Sequence, residues 1–164
     1  MKRIPPSSTG FSLIELLVVI AISLILLGGA ISALVTFNER RSVTNAVDEL
    51  KTMLQAAQSK ARAGDLGGCD QLAGYRLQTY LNGNVTEMSL QAVCSAGVAT
   101  AAQLQALPVG VTITPNLDAT FQVLNAGVQL PNGVASIDLT IANNTHSYLI
   151  TLYREGRINE GAWQ

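Results

Sequence analysis

The chain has 164 residues, a formal net charge of -1 and a hydrophobic fraction of 48%. That length can bury one core of ordinary size, so we expect a single globular domain plus any apolar segment outside it. The near-zero charge excludes a global electrostatic attraction to nucleic acid, and such a partner would need a local basic patch.

A short basic stretch precedes a long apolar run at the N-terminus. Lys2 and Arg3 lie in the first stretch, and the run over residues 11–37 contains one charged residue, Glu15. As a helix the run is long enough to span a bilayer, which takes about 20 residues. Gly10 lies before the run, whereas the small residue of a secretory cleavage site follows it, so cleavage after Gly10 would retain the apolar segment.

The flanking charges predict the orientation of this segment. Lys2 and Arg3 favour a cytoplasmic N-terminus with the rest of the chain outside, although Arg40 and Arg41 on the far side oppose that preference. We therefore expect a single-pass protein whose head lies outside the cytoplasm.

Glu15 is the residue in the run that calls for a functional explanation. A carboxylate inside a membrane helix costs a few kcal/mol and usually has a partner. Cleavage after Gly10 would give Phe11 a free amine one helical turn before Glu15, on the same face. The two charges can pair within one subunit or between neighbours, where the pair would set the axial register. The alternative is a glutamate that reaches water at the membrane interface.

The sequence Gly10-Phe11-Ser12-Leu13-Ile14-Glu15 resembles the class III signal of type IV prepilins and type II secretion pseudopilins. The resemblance implies that a prepilin peptidase in the bacterial inner membrane cuts between Gly10 and Phe11 and methylates the amine of Phe11. It implies that Glu15 is the assembly glutamate. Major pilins often carry a helix-kinking proline at the position of Ser32, so this departure counts against the major subunit.

The resemblance also implies partners and a location. The protein would be held by membrane lipid before assembly, and would then join other pilin or pseudopilin subunits through an inner-membrane assembly platform. The filament would be a periplasmic pseudopilus or a cell-surface pilus.

A single apolar stripe continues the helix beyond the run. Its members follow 4-3-4-3-4 spacing, which is typical of a helix with one buried face: Val43, Val47, Leu50, Leu54, Ala57 and Ala61. Gly64 and then Gly67-Gly68 end the helix. The predicted segments are a leader (1–10), an apolar helix (11–38), an amphipathic helix (39–63) and a β-rich head (64–164). A coiled-coil dimer is the competing interpretation of the stripe.

Cys69 and Cys94 are the two cysteines of the chain. A head outside the cytoplasm makes a disulfide between them the leading interpretation, and two buried free thiols are the alternative.

Alternating apolar and polar residues predict strands in the head. A hairpin is expected from residues 75–81 and 85–90 across the turn Asn82-Gly83-Asn84. Further strands are expected at 111–114, 120–124, 136–141 and 147–153, whereas residues 95–107 are compatible with a loop or a short helix. The predicted fold class is therefore α+β: a long N-terminal helix, membrane-spanning in its first half, packs its second half on an antiparallel sheet.

Residues 119–159 carry a second resemblance, to the minor pseudopilin H and FimT-like minor pilins. It rests on Phe121, Gly127, Ile137-Asp138-Leu139 and the stretch from Tyr148 to Ile158. Members of that group lie at or near the filament tip and prime assembly, so the resemblance implies a minor subunit at that position.

Some FimT-like proteins bind DNA through a C-terminal Gly-Arg-x-Arg stretch. Here Gly156-Arg157-Ile158 matches, but Asn159 occupies the second arginine position and two glutamates flank the stretch. A contact through Arg154 and Arg157 would be weak with so little positive charge, so we do not expect nucleic acid as a partner. A DNA- or surface-binding tip module stays as the alternative, and a patch of both arginines with Arg76 would favour it.

The sequence predicts no enzyme, metal site or cofactor. It contains no nucleophile elbow, phosphate-binding loop or zinc-binding helix motif. His146 is expected to be a solvated turn residue, and Asp118 and Asp138 a loop and a solvent-face residue. Trp163 is expected to pack on its own sheet.

Overall fold

The computed structural model describes residues 12–97, 100–125 and 127–163, with the side chains at 29–32 and 125 excepted. The helix α1 spans Leu13–Ala63. The strands are β1 (Leu72–Asn82), β2 (Val85–Cys94), β3 (Gln103–Ala106), β4 (Thr112–Thr114), β5 (Asp118–Gln122), β6 (Val128–Gln129), β7 (Ser136–Ala142), β8 (Ser147–Tyr153) and β9 (Ile158–Trp163). Short 3-10 turns lie at Val123–Asn125 and Pro131–Gly133.

The chain divides into two compact units, Met1–Asn38 and Glu39–Gln164. The first contains the apolar part of α1. The second, called the head below, contains the remainder of α1 and all the strands named above.

Two antiparallel sheets form the head. One has five strands in the order β3-β2-β1-β5-β6, and the other has four in the order β4-β7-β8-β9. The long hairpin β1-β2 is closed where Asn82 pairs with Val85, and Gly83 in the turn has a φ of 63°, a conformation that glycine adopts without strain. The architecture is the expected α+β arrangement, with two sheets where one was expected.

The predicted helix stripe lies in the core. Its six members are each at most 4% exposed, and they belong to one apolar cluster with the inner faces of both sheets. The sheet contributions include Tyr75, Leu77, Phe121, Leu139, Ile141, Ile150 and Leu152. Ala46 and Met53 are buried beside the stripe and widen it. The predicted amphipathic helix therefore buries one face, because the apolar faces of both sheets pack against its stripe.

The predicted hairpin is present and longer than the sequence indicated, since β1 begins at Leu72 and β2 ends at Cys94. The strand expected at 120–124 is shifted, because β5 ends at Gln122 and Leu124 turns the chain with a φ of 57°.

Residues 95–107, which the sequence left undecided between a loop and a short helix, contain a strand: β3 occupies Gln103–Ala106 and pairs with β2. The sequence analysis also missed β6 and β9. All three are outermost strands of their sheets, and β3 and β9 bury none of their side chains. The alternation that reveals a half-buried strand is therefore missing from β3 and β9, and β6 is too short to display it.

Candidate functional site

An uncovered apolar helix is the most conspicuous surface of the chain. An 18-residue window of α1 has a mean hydropathy of 2.7, and none of it is buried. Leu13 is 88% exposed and Ile25 76%. By length and composition this helix could cross a membrane. A helix that is apolar all round requires lipid or other protein to cover it.

The start of α1 is capped by a serine. The backbone N–H of Glu15 donates to Oγ of Ser12 at 3.3 Å. Ser12 is then the N-cap and Glu15 the third helical residue, which is the Ser-x-x-Glu spacing of a capping box. A carboxylate in this first turn is also favoured by the helix dipole. The sequence analysis missed this role, although the spacing alone could have indicated it.

Gly10 and Phe11 lie outside the described residues. The cleavage between them, the methylation of Phe11 and its pairing with Glu15 stay predictions.

The connection between β7 and β8 is hydrogen-bonded to α1 at the point where the helix enters the head. Asn143, after β7, donates from Nδ2 to the carbonyl oxygen of Glu39 at 2.9 Å and to Oγ of Ser42 at 3.4 Å. Its Oδ1 accepts the backbone N–H groups of Thr145 and His146 at 3.0 and 2.8 Å. This Asx-type turn fixes the β7-β8 connection against the helix.

His146 belongs to this turn and is half-buried. Its Nδ1 lies 2.9 Å from Oγ1 of Thr145, which also donates to the carboxylate of Glu39 at 3.0 Å. Its ring meets the ring of Trp163 edge-on at 6.1 Å. The histidine is therefore more enclosed than the solvated turn residue expected, and these contacts give it a packing role.

Trp163 at the end of β9 packs on its own sheet, as expected. Its ring lies 5.2 Å from that of Tyr148, edge-on, and the guanidinium of Arg40 lies 4.7 Å above its centroid. The end of β9 is thereby joined to the start of the helix within the head.

Arg76 of β1 and Asp118 of β5 form a bidentate ion pair. Nε and Nη2 of Arg76 donate to Oδ1 and Oδ2 of Asp118 at 2.7 and 2.5 Å, and Nε2 of Gln78 donates to Oδ2 at 3.2 Å. The bonds from Arg76 lower the pKa of Asp118, and Gln78 adds to this against the opposing effect of burial. The expectation that Asp118 is a loop residue was wrong, because it begins β5 and has a fixed partner.

Arg154 and Arg157, the other two arginines considered as DNA contacts, lie in the turn between β8 and β9. Arg157 lies 3.9 Å over the ring of Tyr153, and its Nε lies 3.4 Å from Oε1 of Glu155. Arg154 is exposed, and its carbonyl oxygen accepts the N–H of Val128 at 2.7 Å. Carboxylates therefore offset the charge of Arg76 and of Arg157. Among the residues that the structure describes, Arg154 has no carboxylate partner.

Cys69 and Cys94 are joined by a disulfide with a Cα–Cα distance of 5.3 Å. The bridge links the turn after α1 to the end of β2. Within the described ranges, no three or more His, Cys, Asp or Glu side chains lie together as a metal site would require.

Comparison with known protein families gives a match at the N-terminus. Residues 6–31 match a family model described as the prokaryotic N-terminal methylation motif. The match includes Gly10, Phe11 and Glu15 and much of the apolar run. Searches of curated proteins and of solved structures found no match to the chain.

Proposed function

The chain is type IV pilin-like, a pilin or pseudopilin subunit, and from that premise we propose that it is a minor subunit at or near the tip of its filament. The filament is a type IV pilus or a type II secretion pseudopilus. The observation that carries the subunit assignment is the methylation motif at the start of an uncovered apolar helix, ahead of an α+β head. The minor, tip-proximal role is supported by Ser32 and by the resemblance of residues 119–159. The family is structural rather than enzymatic, so its work is assembly.

The apolar helix anchors the subunit in the inner membrane before assembly. Lys2 and Arg3 keep the N-terminus cytoplasmic, and the head lies in the periplasm. Prepilin peptidase removes residues 1–10 from the cytoplasmic side and methylates the amine of Phe11.

Assembly then exchanges lipid for neighbouring helices. The apolar side chains of α1 are shielded from water by lipid in the membrane and by neighbouring helices in the filament. The transfer from membrane to filament therefore exposes no apolar surface to water. Glu15 pairs with a Phe11 amine in the growing filament, and a buried charge without its partner is penalised strongly enough to reject a wrong stagger. Ser32 at the position of the usual kinking proline supports a minor rather than a major subunit.

The charge pairing is tested with Glu15→Val. We expect normal membrane insertion and leader removal, but a drop of at least about tenfold in the amount recovered in sheared or purified filaments, because the amine loses its buried partner. The control is Ser23→Val, which introduces the same side chain into the same run without removing a charge. Immunoblots of filament and membrane fractions give the ratio. Equal incorporation of Glu15→Val and Ser23→Val would contradict the role of Glu15.

The cleavage site is tested with Gly10→Val. A branched side chain before the scissile bond should block the peptidase, so the protein should retain residues 1–10. Mass spectrometry of the purified protein reads leader removal and methylation of Phe11 together. Thr9→Val is the matched control and should be processed. A mature N-terminus at Phe11 in the Gly10→Val protein would refute the assignment.

The DNA-binding tip module receives little support from the arginines, since Arg76 and Arg157 have carboxylate partners. We expect no electrophoretic shift of duplex DNA by the full chain in detergent at low salt, where such binding is strongest. A shift that disappears in Arg154→Gln would reinstate this alternative.

A further inference from the structure

We propose that the end of the head at which α1 enters it is a membrane-contact surface, which rests on phospholipid headgroups before assembly. We call it the junction surface and define it by Leu81, Val109 and Trp163 with the neighbouring Arg40 and Arg41. The inference rests on the proposed anchoring of α1 in a membrane. It adds a second, reversible lipid contact made by the head itself.

Contacts within the head place the loop before β4 at this end. Asn143 binds the helix start through Glu39 and Ser42. The preceding residue, Ala142, pairs with Thr112 of β4. The loop that carries Val109 leads directly into Thr112, so it lies at the end of the head where the helix begins.

The tip of the β1-β2 hairpin lies beside the same loop. Oγ1 of Thr86 donates to the carbonyl oxygen of Val111 at 2.9 Å, and the N–H of Leu107 donates to the carbonyl oxygen of Thr86 at 2.9 Å. Thr86 pairs with Leu81 across the hairpin. Leu81 and the loop of Val109 therefore share one end of the head.

Trp163 completes the surface from the other sheet. It pairs with Tyr148 near the start of β8 and lies under the guanidinium of Arg40. Tryptophan has an apolar ring and a polar N–H, and it is enriched where proteins meet lipid headgroups.

Two aliphatic side chains of the junction surface face solvent in the isolated head, and Trp163 is half-buried beside Arg40. Leu81 is 59% exposed and Val109 78%. The core does not use them, although both are aliphatic. The apolar run of α1 ends at Phe37, only two residues before the head begins at Glu39. When the run is in a bilayer, chain connectivity keeps this end of the head within reach of the headgroups, and partial insertion would remove the exposed carbon from water.

The charges of the junction surface do not favour anionic over zwitterionic lipid. Arg40 and Arg41 are balanced at this end by Glu39 and Glu87, whose carboxylates accept hydrogen bonds from Thr145 and from Tyr80 and Asn82. Apolar insertion therefore governs the contact. It should occur on zwitterionic phosphatidylcholine and persist at high salt, where attraction to an anionic surface would be screened.

The test uses the fluorescence of Trp163, the single tryptophan of the chain. The full chain is reconstituted into phosphatidylcholine vesicles in which some lipids carry a nitroxide on the headgroup. We expect the nitroxide to quench Trp163. The double variant Leu81→Asn, Val109→Asn should lower the quenching constant by at least about twofold, because less apolar surface enters the interface.

Leu124→Asn is the matched control. Leu124 is 87% exposed and follows β5 near the opposite end of the head. At that end the N–H of Gln122 donates a hydrogen bond to the carbonyl oxygen of Gly127, and Nε2 of Gln58 donates to that of Gly156. The control should be quenched like the parent. Circular dichroism checks that both variants fold, which their exposed positions favour.

The outcomes separate this inference from the proposed function. Failure of the full chain to float with vesicles would contradict the membrane anchoring itself. Flotation without headgroup quenching, or equal quenching of parent and double variant, would overturn the junction surface alone. If the difference between parent and double variant vanished at low protein density, a second copy would occupy the surface instead, and the inference would again be wrong.

Discussion

At the scale of single residues, the observed contact of Glu15 and its proposed role in assembly use different atoms. Its backbone N–H completes the helix cap with Ser12, and its carboxylate carries the charge assigned to assembly. Replacement by valine keeps the backbone bond and removes the charge. A defect of Glu15→Val in assembly would therefore report the carboxylate rather than a lost helix start.

The ion pair of Arg76 and Asp118 makes a pH-dependent contribution. The pKa of Asp118 is lower in the folded chain than its ordinary value of 3.8, chiefly through the bonds from Arg76. The stabilisation is therefore complete above the unfolded pKa and is lost as the pH falls through the lowered folded pKa. Because the two side chains are 39% and 43% exposed, solvent screening limits the effect to about 1 kcal/mol or less.

We predict that Asp118→Asn lowers the free energy of unfolding by up to about 1 kcal/mol at neutral pH, and that this effect shrinks steadily as the pH is lowered below 3.8, the ordinary pKa of the carboxyl. Urea denaturation of the full chain in detergent, followed by circular dichroism, measures the effect at each pH. Asp70→Asn is the control, an exposed aspartate in the turn after α1. An effect of Asp118→Asn that is as large in acid as at neutral pH would contradict the stated cause.

At the scale of elements, α1 changes its environment along its length. Before the head its described side chains are exposed, and within the head one stripe is fully buried against two sheets. Membrane insertion of the first part requires apolar side chains on all of its faces, whereas packing of the second part requires apolar side chains at helical spacing on one face. A polar substitution is expected to affect insertion in the first part and folding in the second.

We predict that Leu54→Ala lowers the free energy of unfolding of the head by about 2–5 kcal/mol, because Leu54 is completely buried and its loss leaves a cavity. Gln55→Ala is the matched control on the exposed side of the same turn, and it should change the free energy by less than about 0.5 kcal/mol. Urea denaturation compares the two. Similar losses in both variants would show that the stripe does not carry the packing.

At the scale of the whole head, a covalent tie supplements the apolar core. The Cys69–Cys94 disulfide closes a sequence separation of 25 residues and joins the end of the helix to the first hairpin. Closing a loop of that length removes entropy from the unfolded chain. The head should therefore depend on an oxidising compartment for its full stability.

We predict that replacing both cysteines with serine lowers the free energy of unfolding by about 3.5 kcal/mol, which is the chain-entropy value for such a loop. The measurement is urea denaturation of the parent and the Cys69→Ser, Cys94→Ser protein. The parent in reductant should lose a similar amount, and reductant should leave the double variant unchanged. A double variant as stable as the oxidised parent would contradict the role of the bridge.

The sequence by itself determined the features that depend on local pattern. Hydrophobicity over residues 11–37 indicated the apolar helix, and all six predicted stripe positions are buried in the head. The hairpin around Gly83 followed from alternation and turn chemistry. These signals are local because helix and strand periods are written in neighbouring residues.

Only the tertiary structure decided what depends on distant partners. Outer strands such as β3 and β9 form by pairing with a neighbour and bury no stripe of their own, so their residues give no periodic signal. Asp118 pairs with Arg76, which is 42 positions away in the sequence. Pairing between strands places Leu81, Val109 and Trp163 toward the same end of the head. A sequence specifies each of these residues, but long-range pairing and packing determine which of them share a surface.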